Sequence, residues 1–165
     1  MLHRKSKLIA VVALALSAAA LSAACTSATP TAAAQPAQRT VYMAAIEPKG
    51  STTTASEPFP TASLPQGGSY KLNAPNKDGV WEVSTYRWLP SNLTVNQGDD
   101  VTLEIIGING KEHPSVIQGY DAKFNVLRGQ VTRVNFKADK AGIFNIVCAA
   151  HQPSMTAQLV VLPRS

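Results

Sequence analysis

Cysteine is scarce in this sequence, because the 165 residues contain only Cys25 and Cys148. Cys25 follows an apolar run near the N-terminus, so we expect it to belong to a processing site. Cys148 then has no partner within the chain, which excludes an internal disulfide. Histidine is equally scarce: beyond His3 the chain has two, His113 and His151.

Runs of basic residues are also missing. The chain has 15 Lys and Arg against 10 Asp and Glu, and Arg4, Lys5 and Lys7 lie in the N-terminal leader. Without these three residues the count is 12 against 10, a net charge of +2. The high isoelectric point is therefore partly due to the leader, and we predict no nucleic-acid partner.

The first 25 residues have the pattern of a secretory signal peptide: a basic start, an apolar run over 8–21 and small residues before Cys25. The segment 21–25 also resembles a lipoprotein processing box, so Cys25 is predicted to be lipidated. Ordinary cleavage and an uncleaved anchor are the alternatives. Export to the periplasm or cell surface, with a lipid as the only membrane anchor, is the expectation. In an oxidising compartment an unpaired Cys148 calls for another explanation, which metal ligation supplies.

Residues 26–77 are rich in Ala, Thr, Ser, Pro and Gly. This composition predicts a tether and loop that precede the folded domain. Within it, a short strand is expected over 40–45. A spacer without a role is the alternative.

Residues 78–165 are predicted to form the folded domain, because short segments there alternate between apolar and polar residues. Val101, Leu103 and Ile105 share one face of an extended segment. Farther along the chain, Val131, Val134 and Phe136 are predicted to point inward. Frequent turn signals and no pattern typical of a long helix predict an all-β sandwich or barrel of seven to eight strands.

The segment 144–155 contains the candidate metal ligands. Cys148 ends an apolar run, His151 follows three residues later and Met155 seven residues later. Thiolate, imidazole and thioether are soft ligands that suit copper better than calcium or magnesium. A trigonal copper site needs a second imidazole, for which His113 is the candidate. The alternative is a buried cysteine, a surface histidine and a core methionine without a metal.

Several short motifs follow one another in a specific order: Trp88-Leu89-Pro90, Asn92-Leu93-Thr94-Val95, Gly98-Asp99-Asp100-Val101, His113, Gly119-Tyr120, Gly129-Gln130-Val131-Thr132, Ala138-Asp139-Lys140-Ala141-Gly142, Cys148, His151 and Met155. Together they resemble the cupredoxin family, and most of all the periplasmic copper domain of cytochrome oxidase subunit II and nitrous oxide reductase. The likeness covers about half the chain, residues 80–163. It implies a Greek-key β-sandwich, with copper held by His113, Cys148, His151 and Met155.

One departure from that domain decides the stoichiometry. The oxidase domain has two cysteines that bridge two coppers, whereas this chain offers Cys148 alone in a shorter loop, so we predict one copper ion per chain. The chain is also similar to the red copper protein nitrosocyanin, which uses a glutamate ligand, and this makes Glu112 the alternative fourth ligand. Adjacent residues of an extended chain point opposite ways, which favours His113 over Glu112.

The resemblance implies an exported one-electron carrier and not an enzyme. The imidazole of His151 would be its electron port, and a cytochrome or oxidase would dock on Ala149, Ala150 and Pro153. A copper-handling protein for buffering, delivery or tolerance is the alternative, although Met-rich and His-rich stretches are missing. An enzyme with an open copper position is a third hypothesis, which no additional histidines or paired carboxylates support.

Overall fold

The computed structural model describes residues 35–63 and 70–164. The predicted leader, Cys25 and the tether before residue 35 lie outside the described residues. The described residues contain no helix of the length and apolar character needed to cross a membrane. They form twelve strands: β1 (Gln38–Ile46), β2 (Lys49–Thr53), β3 (Tyr70–Asn73), β4 (Val80–Thr85), β5 (Arg87–Leu89), β6 (Asn92–Asn96), β7 (Asp100–Gly107), β8 (Glu112–Ile117), β9 (Ala122–Leu127), β10 (Val131–Lys137), β11 (Gly142–Cys148) and β12 (Thr156–Leu162).

Two sheets enclose one hydrophobic core. The first has the order β10-β7-β1-β5 and the second the order β6-β12-β11-β8-β9. Buried residues from both sheets, such as Leu103 of β7 and Leu159 of β12, belong to the same core cluster. Two sheets that bury their apolar faces against each other form a sandwich. The all-β sandwich prediction is therefore confirmed.

The period of two along a strand explains which side chains reach this core. Val101, Leu103 and Ile105 are buried, as predicted, because they alternate with polar residues along β7. Val134 of β10 is buried as well. The prediction for Val131 is wrong, since its side chain is 49% exposed. Positions 131 and 134 are three residues apart, so they lie on opposite faces of the strand.

Strand β1 lies inside the sandwich, so the short strand predicted over 40–45 within the tether is confirmed. It pairs in parallel with β7, so that Met43 is opposite Ile105, and antiparallel with β5. Its side chains Met43 and Ala45 are buried. The tether assignment is wrong for residues 38–46. Small residues such as Ala45 are common in spacers, but here Ala45 packs in the core.

A third sheet, with the order β2-β4-β3, has no strand in common with the sandwich. Two of its strands come from the predicted tether, over 49–53 and 70–73, so the tether assignment is wrong there too. The twelve described strands exceed the predicted seven to eight, and three of them, β1, β2 and β3, come from the predicted tether. One residue, Tyr86, separates the end of β4 from the start of β5, so the third sheet leads directly back into the sandwich.

Candidate metal centre

Two adjacent strands bring a histidine and a cysteine to the same end of the sandwich. Strands β8 and β11 are antiparallel, with Cys148 opposite Ser115. Because side chains alternate, His113 lies two residues before Ser115 on the inward face of β8, and Cys148 lies two residues after Ile146 on the inward face of β11. His113 and Cys148 are both fully buried.

His151 completes a triangle of ligand atoms with these two residues. The Nδ1 atoms of His113 and His151 are 3.3 Å apart. The Sγ atom of Cys148 lies 3.5 Å from Nδ1 of His151 and 4.0 Å from Nδ1 of His113. A point equidistant from three atoms with these separations is about 2.1 Å from each, and metal bonds to imidazole and thiolate are about 2.0–2.3 Å long. The three side chains therefore fit one metal ion between them.

A backbone carbonyl determines which nitrogen of His113 faces this triangle. Nε2 of His113 lies 2.8 Å from the carbonyl oxygen of Asn109. Since a carbonyl can only accept, Nε2 carries the hydrogen and Nδ1 keeps its lone pair for a ligand. Gly110 permits this close approach: its φ is 76°, and a Cβ there would lie 2.8 Å from the His113 ring.

The loop from Cys148 to Met155 is closed by its own backbone. The N–H of Cys148 donates to the carbonyl of Met155 at 3.1 Å, and the N–H of Met155 donates to the carbonyl of His151 at 2.9 Å. The N–H of Ala149 donates to the carbonyl of Pro114 at 2.8 Å, which ties the loop to β8. Met155 is fully buried in the same cluster as Cys148. Its role as an axial ligand stays a prediction.

Glu112 lies apart from the triangle. Its side chain is exposed and accepts a hydrogen bond from Nδ2 of Asn125 at 3.0 Å. Its neighbour His113 points into the core, as the alternation of side chains along an extended strand requires. The structure thus brings His113, and not Glu112, to Cys148 and His151.

Tyr86 is a residue of this site that the sequence analysis did not single out. Its ring stacks on His151, with centroids 3.9 Å apart and planes at 30°, and meets His113 edge-on at 5.5 Å. Its hydroxyl interacts with the carboxylate of Glu47. Burial and that carboxylate both raise the pKa of Tyr86. What marks Tyr86 as part of the site is its stacking on His151. Because the two residues are far apart in the sequence, no local pattern predicts this contact.

The surroundings of His151 favour its neutral, metal-binding form. Burial lowers the pKa of His151 because it disfavours the charged imidazolium, and the neighbouring His113 lowers it further. The nearby Glu47 acts in the opposite direction and does not outweigh them. The neutral imidazole, which is the form that ligates metals, is therefore favoured.

Sequence comparison identifies no relative of this chain: no known family and no curated protein matches it. Solved structures do match. A multicopper oxidase, mgLAC, superposes with a TM-score of 0.51 at 16% identity, covering 78% of this chain and 40% of the oxidase. The chain has a cupredoxin fold. The likeness spans less than half of the oxidase, so it shows the fold and not the activity.

Two smaller copper proteins match this cupredoxin fold less closely. Auracyanin A, a "blue" copper protein from Chloroflexus aurantiacus, has a TM-score of 0.40 at 19% identity, covering 46% of this chain and 88% of its own. A variant of amicyanin in its reduced state has a TM-score of 0.35 at 23% identity, covering 46% of this chain and 72% of its own. The superposition on the oxidase confirms the predicted cupredoxin resemblance at the level of the fold. The special closeness to oxidase subunit II stays a prediction.

Within this cupredoxin fold the choice between His113 and Glu112 can be tested directly. His113→Ala removes one corner of the triangle, so we expect copper affinity to fall by more than about 100-fold, beyond the loss typical of outer residues. Added imidazole should partly restore the visible spectrum by filling the space left by the ring. Glu112→Gln should leave the spectrum unchanged, because its side chain faces Asn125. A larger spectral change in Glu112→Gln than in His113→Ala would contradict this ligand assignment.

Proposed function

We propose that this chain is an exported mononuclear copper protein that carries single electrons and is not an enzyme. The observation that supports it is the triangle of His113, Cys148 and His151 at one end of a cupredoxin sandwich. Two imidazoles and one thiolate in a trigonal arrangement are typical of blue-copper sites. When bound, a copper ion in such a site supplies one-electron chemistry between Cu(II) and Cu(I).

The surroundings of the triangle suit electron transfer because they hold each ligand in place. His113 is hydrogen-bonded to the carbonyl of Asn109, and His151 is stacked on Tyr86. Cys148 lies at the end of a strand that pairs with β8 and β12. Ligands held by packing and hydrogen bonds move little when the charge of a bound ion changes.

His151 is the proposed electron port. It is only partly buried, whereas His113 and Cys148 are fully buried. Ala149, Ala150 and Pro153 in the same loop are exposed and apolar. We propose that a cytochrome or an oxidase docks on this patch, which would place its cofactor close to the imidazole edge of His151.

Export and anchoring belong to the same proposal. The signal pattern over 1–25 and the box around Cys25 support a location on the periplasmic or cell-surface side, with the protein held to the membrane by a lipid on Cys25. Mass spectrometry of the membrane fraction tests this part separately. A mature chain that begins after residue 25, without lipid, would overturn the anchor and leave the metal site in place.

Copper loading of the mature chain tests the central proposal. We expect one copper per chain by metal analysis, an intense thiolate-to-copper band in the visible, and reversible one-electron voltammetry. Zinc loading is the matched control, since it gives occupancy without a visible band. Two coppers per chain with a mixed-valence EPR signal would overturn the mononuclear site. Rapid copper transfer to a chelator together with slow electron exchange would favour copper handling over electron carriage.

A further inference from the structure

The first turn after β1 touches the supports of both histidines. Glu47 follows directly after β1, and its backbone N–H donates to Oδ1 of Asn109 at 3.0 Å. The carbonyl of the same Asn109 accepts from Nε2 of His113 at 2.8 Å. These contacts form a continuous chain from Glu47 to one imidazole of the metal centre, which we call the Asn109 arm.

A second chain of contacts leads from Glu47 to the other imidazole. The Glu47 carboxylate interacts with the hydroxyl of Tyr86, whose ring stacks on His151. The Glu47 side chain is only 14% exposed and is also paired with Nζ of Lys49 at 3.1 Å. We call this chain of contacts, from the Glu47 carboxylate through Tyr86 to His151, the Tyr86 arm.

The third sheet explains how Glu47 and Tyr86 meet. It begins at Lys49, two residues after Glu47, and ends at Thr85, one residue before Tyr86. At its base Lys49 pairs with Ser84, and the N–H of Thr85 donates to the carbonyl of Pro48 at 3.3 Å. The first and last residues of the third sheet therefore lie side by side. This brings Tyr86, which follows the sheet, next to Glu47, which precedes it.

We propose that Glu47 is a positioning residue of the metal centre, which holds His113 through the Asn109 arm and His151 through the Tyr86 arm. The inference rests on the proposed copper site. Fixing two imidazoles before a metal binds removes part of the conformational entropy that binding would otherwise cost. Outer partners that orient the ligands of a metal have effects of this kind in other sites.

Single and double substitutions separate the two arms. Glu47→Ala removes the carboxylate of the Tyr86 arm, and Tyr86→Phe removes its hydroxyl but keeps the ring. We expect each to weaken copper affinity about tenfold in a chelator competition and to change the EPR hyperfine splitting. Because both act on one arm, the double variant should be no weaker than either single variant. Asn109→Ala acts on the other arm, so its effect should multiply with that of Glu47→Ala.

Glu104→Ala is the matched control, because Glu104 is a partly exposed carboxylate on β7 that is paired with Arg133 at 2.7 Å and takes no part in either arm. It should leave copper affinity and the EPR spectrum unchanged. An unchanged spectrum in Glu47→Ala, or effects of Glu47→Ala and Tyr86→Phe that multiply, would overturn the inference. If the wild-type chain itself shows no thiolate-to-copper band, the proposed function fails instead.

The metal-free protein supplies a readout that does not depend on copper. A ring stacked at 3.9 Å shifts the imidazole proton signals of His151 in the NMR spectrum. Glu47→Ala should reduce this ring-current shift, because Tyr86 loses the partner that holds its hydroxyl. Glu47→Gln keeps an oxygen acceptor and should largely retain the shift. A shift that is the same in Glu47→Ala and in the wild type would show that Glu47 does not position Tyr86.

Discussion

Cys148→Ser is expected to abolish the visible thiolate-to-copper band of the copper-loaded protein. The sulfur of Cys148 is one corner of the triangle, and the described residues contain no other cysteine. A serine hydroxyl gives no comparable band and is a poor ligand for a soft site. The fold should survive, because the smaller hydroxyl can donate to Nδ1 of either histidine. We expect the free energy of unfolding without metal to change by about 1 kcal/mol.

Ser115→Ala is the matched control for this substitution. Ser115 lies opposite Cys148 in the β8–β11 pair and is also buried, but its hydroxyl donates to the backbone carbonyl of His113 and not to the triangle. We expect it to keep the visible band. Absorption spectra and far-ultraviolet circular dichroism of both variants decide the matter. A thiolate band that persists in Cys148→Ser would assign ligation to the thiolate of Cys25, the other cysteine of the sequence.

Scarcity made part of the site predictable from the sequence. His113, His151 and Cys148 belong to residue types that occur two or three times in the chain, so their spacing carried information. Alternation along β7 similarly predicted the buried faces of Val101 and Leu103. Along β7 a local pattern sufficed to predict burial, because side chains alternate between the two faces of a single strand.

The outer parts of the site depend on distant pairings that leave no local pattern. The sequence predicts a short strand over 40–45 within a stretch whose composition resembles a linker, and only the pairing of β1 with β7 and β5 places that strand in the sandwich. Glu47 and Tyr86 are of common residue types and are separated in sequence by the whole third sheet. Their contact depends on the register of β2 with β4, which side-chain composition does not specify.

Asp99→Ala is expected to lower the free energy of unfolding by about 3–5 kcal/mol, the cost typical of removing one partner from a buried charged network. Asp99 is fully buried. Its carboxylate accepts from the backbone N–H groups of Ala37 and Asn96, each at 3.0 Å, and pairs with Arg39 and Arg164. The side chain thereby joins the start of β1 in one sheet to the end of β6 and the segment after β12 in the other, so its loss affects both sheets.

Asp100→Ala is the matched control for Asp99→Ala, since the adjacent carboxylate is exposed and pairs with Lys137 at 3.3 Å. Exposed ion pairs contribute little, so we expect a change below about 1 kcal/mol. Chemical denaturation of the metal-free proteins measures both values. Equal losses for the two substitutions would show that the buried network does not stabilise the fold.

The pH dependence of the free energy of unfolding distinguishes the contribution of the charge of Asp99 from that of its packing. Burial alone would raise the pKa of Asp99, but hydrogen bonds from the backbone of Asn96 and Ala37 and from Arg39 outweigh it, so the net pKa lies below the ordinary value. A carboxyl whose pKa is lower in the folded state stabilises the fold fully above its unfolded pKa of about 3.9. That contribution is lost as the pH falls through the lower, folded pKa. The stability difference between the wild type and Asp99→Asn should therefore be constant from pH 7 to about 5 and shrink as the pH falls below about 4. A difference that stays constant down to acid unfolding would mean that packing, and not the charge, accounts for the effect of Asp99.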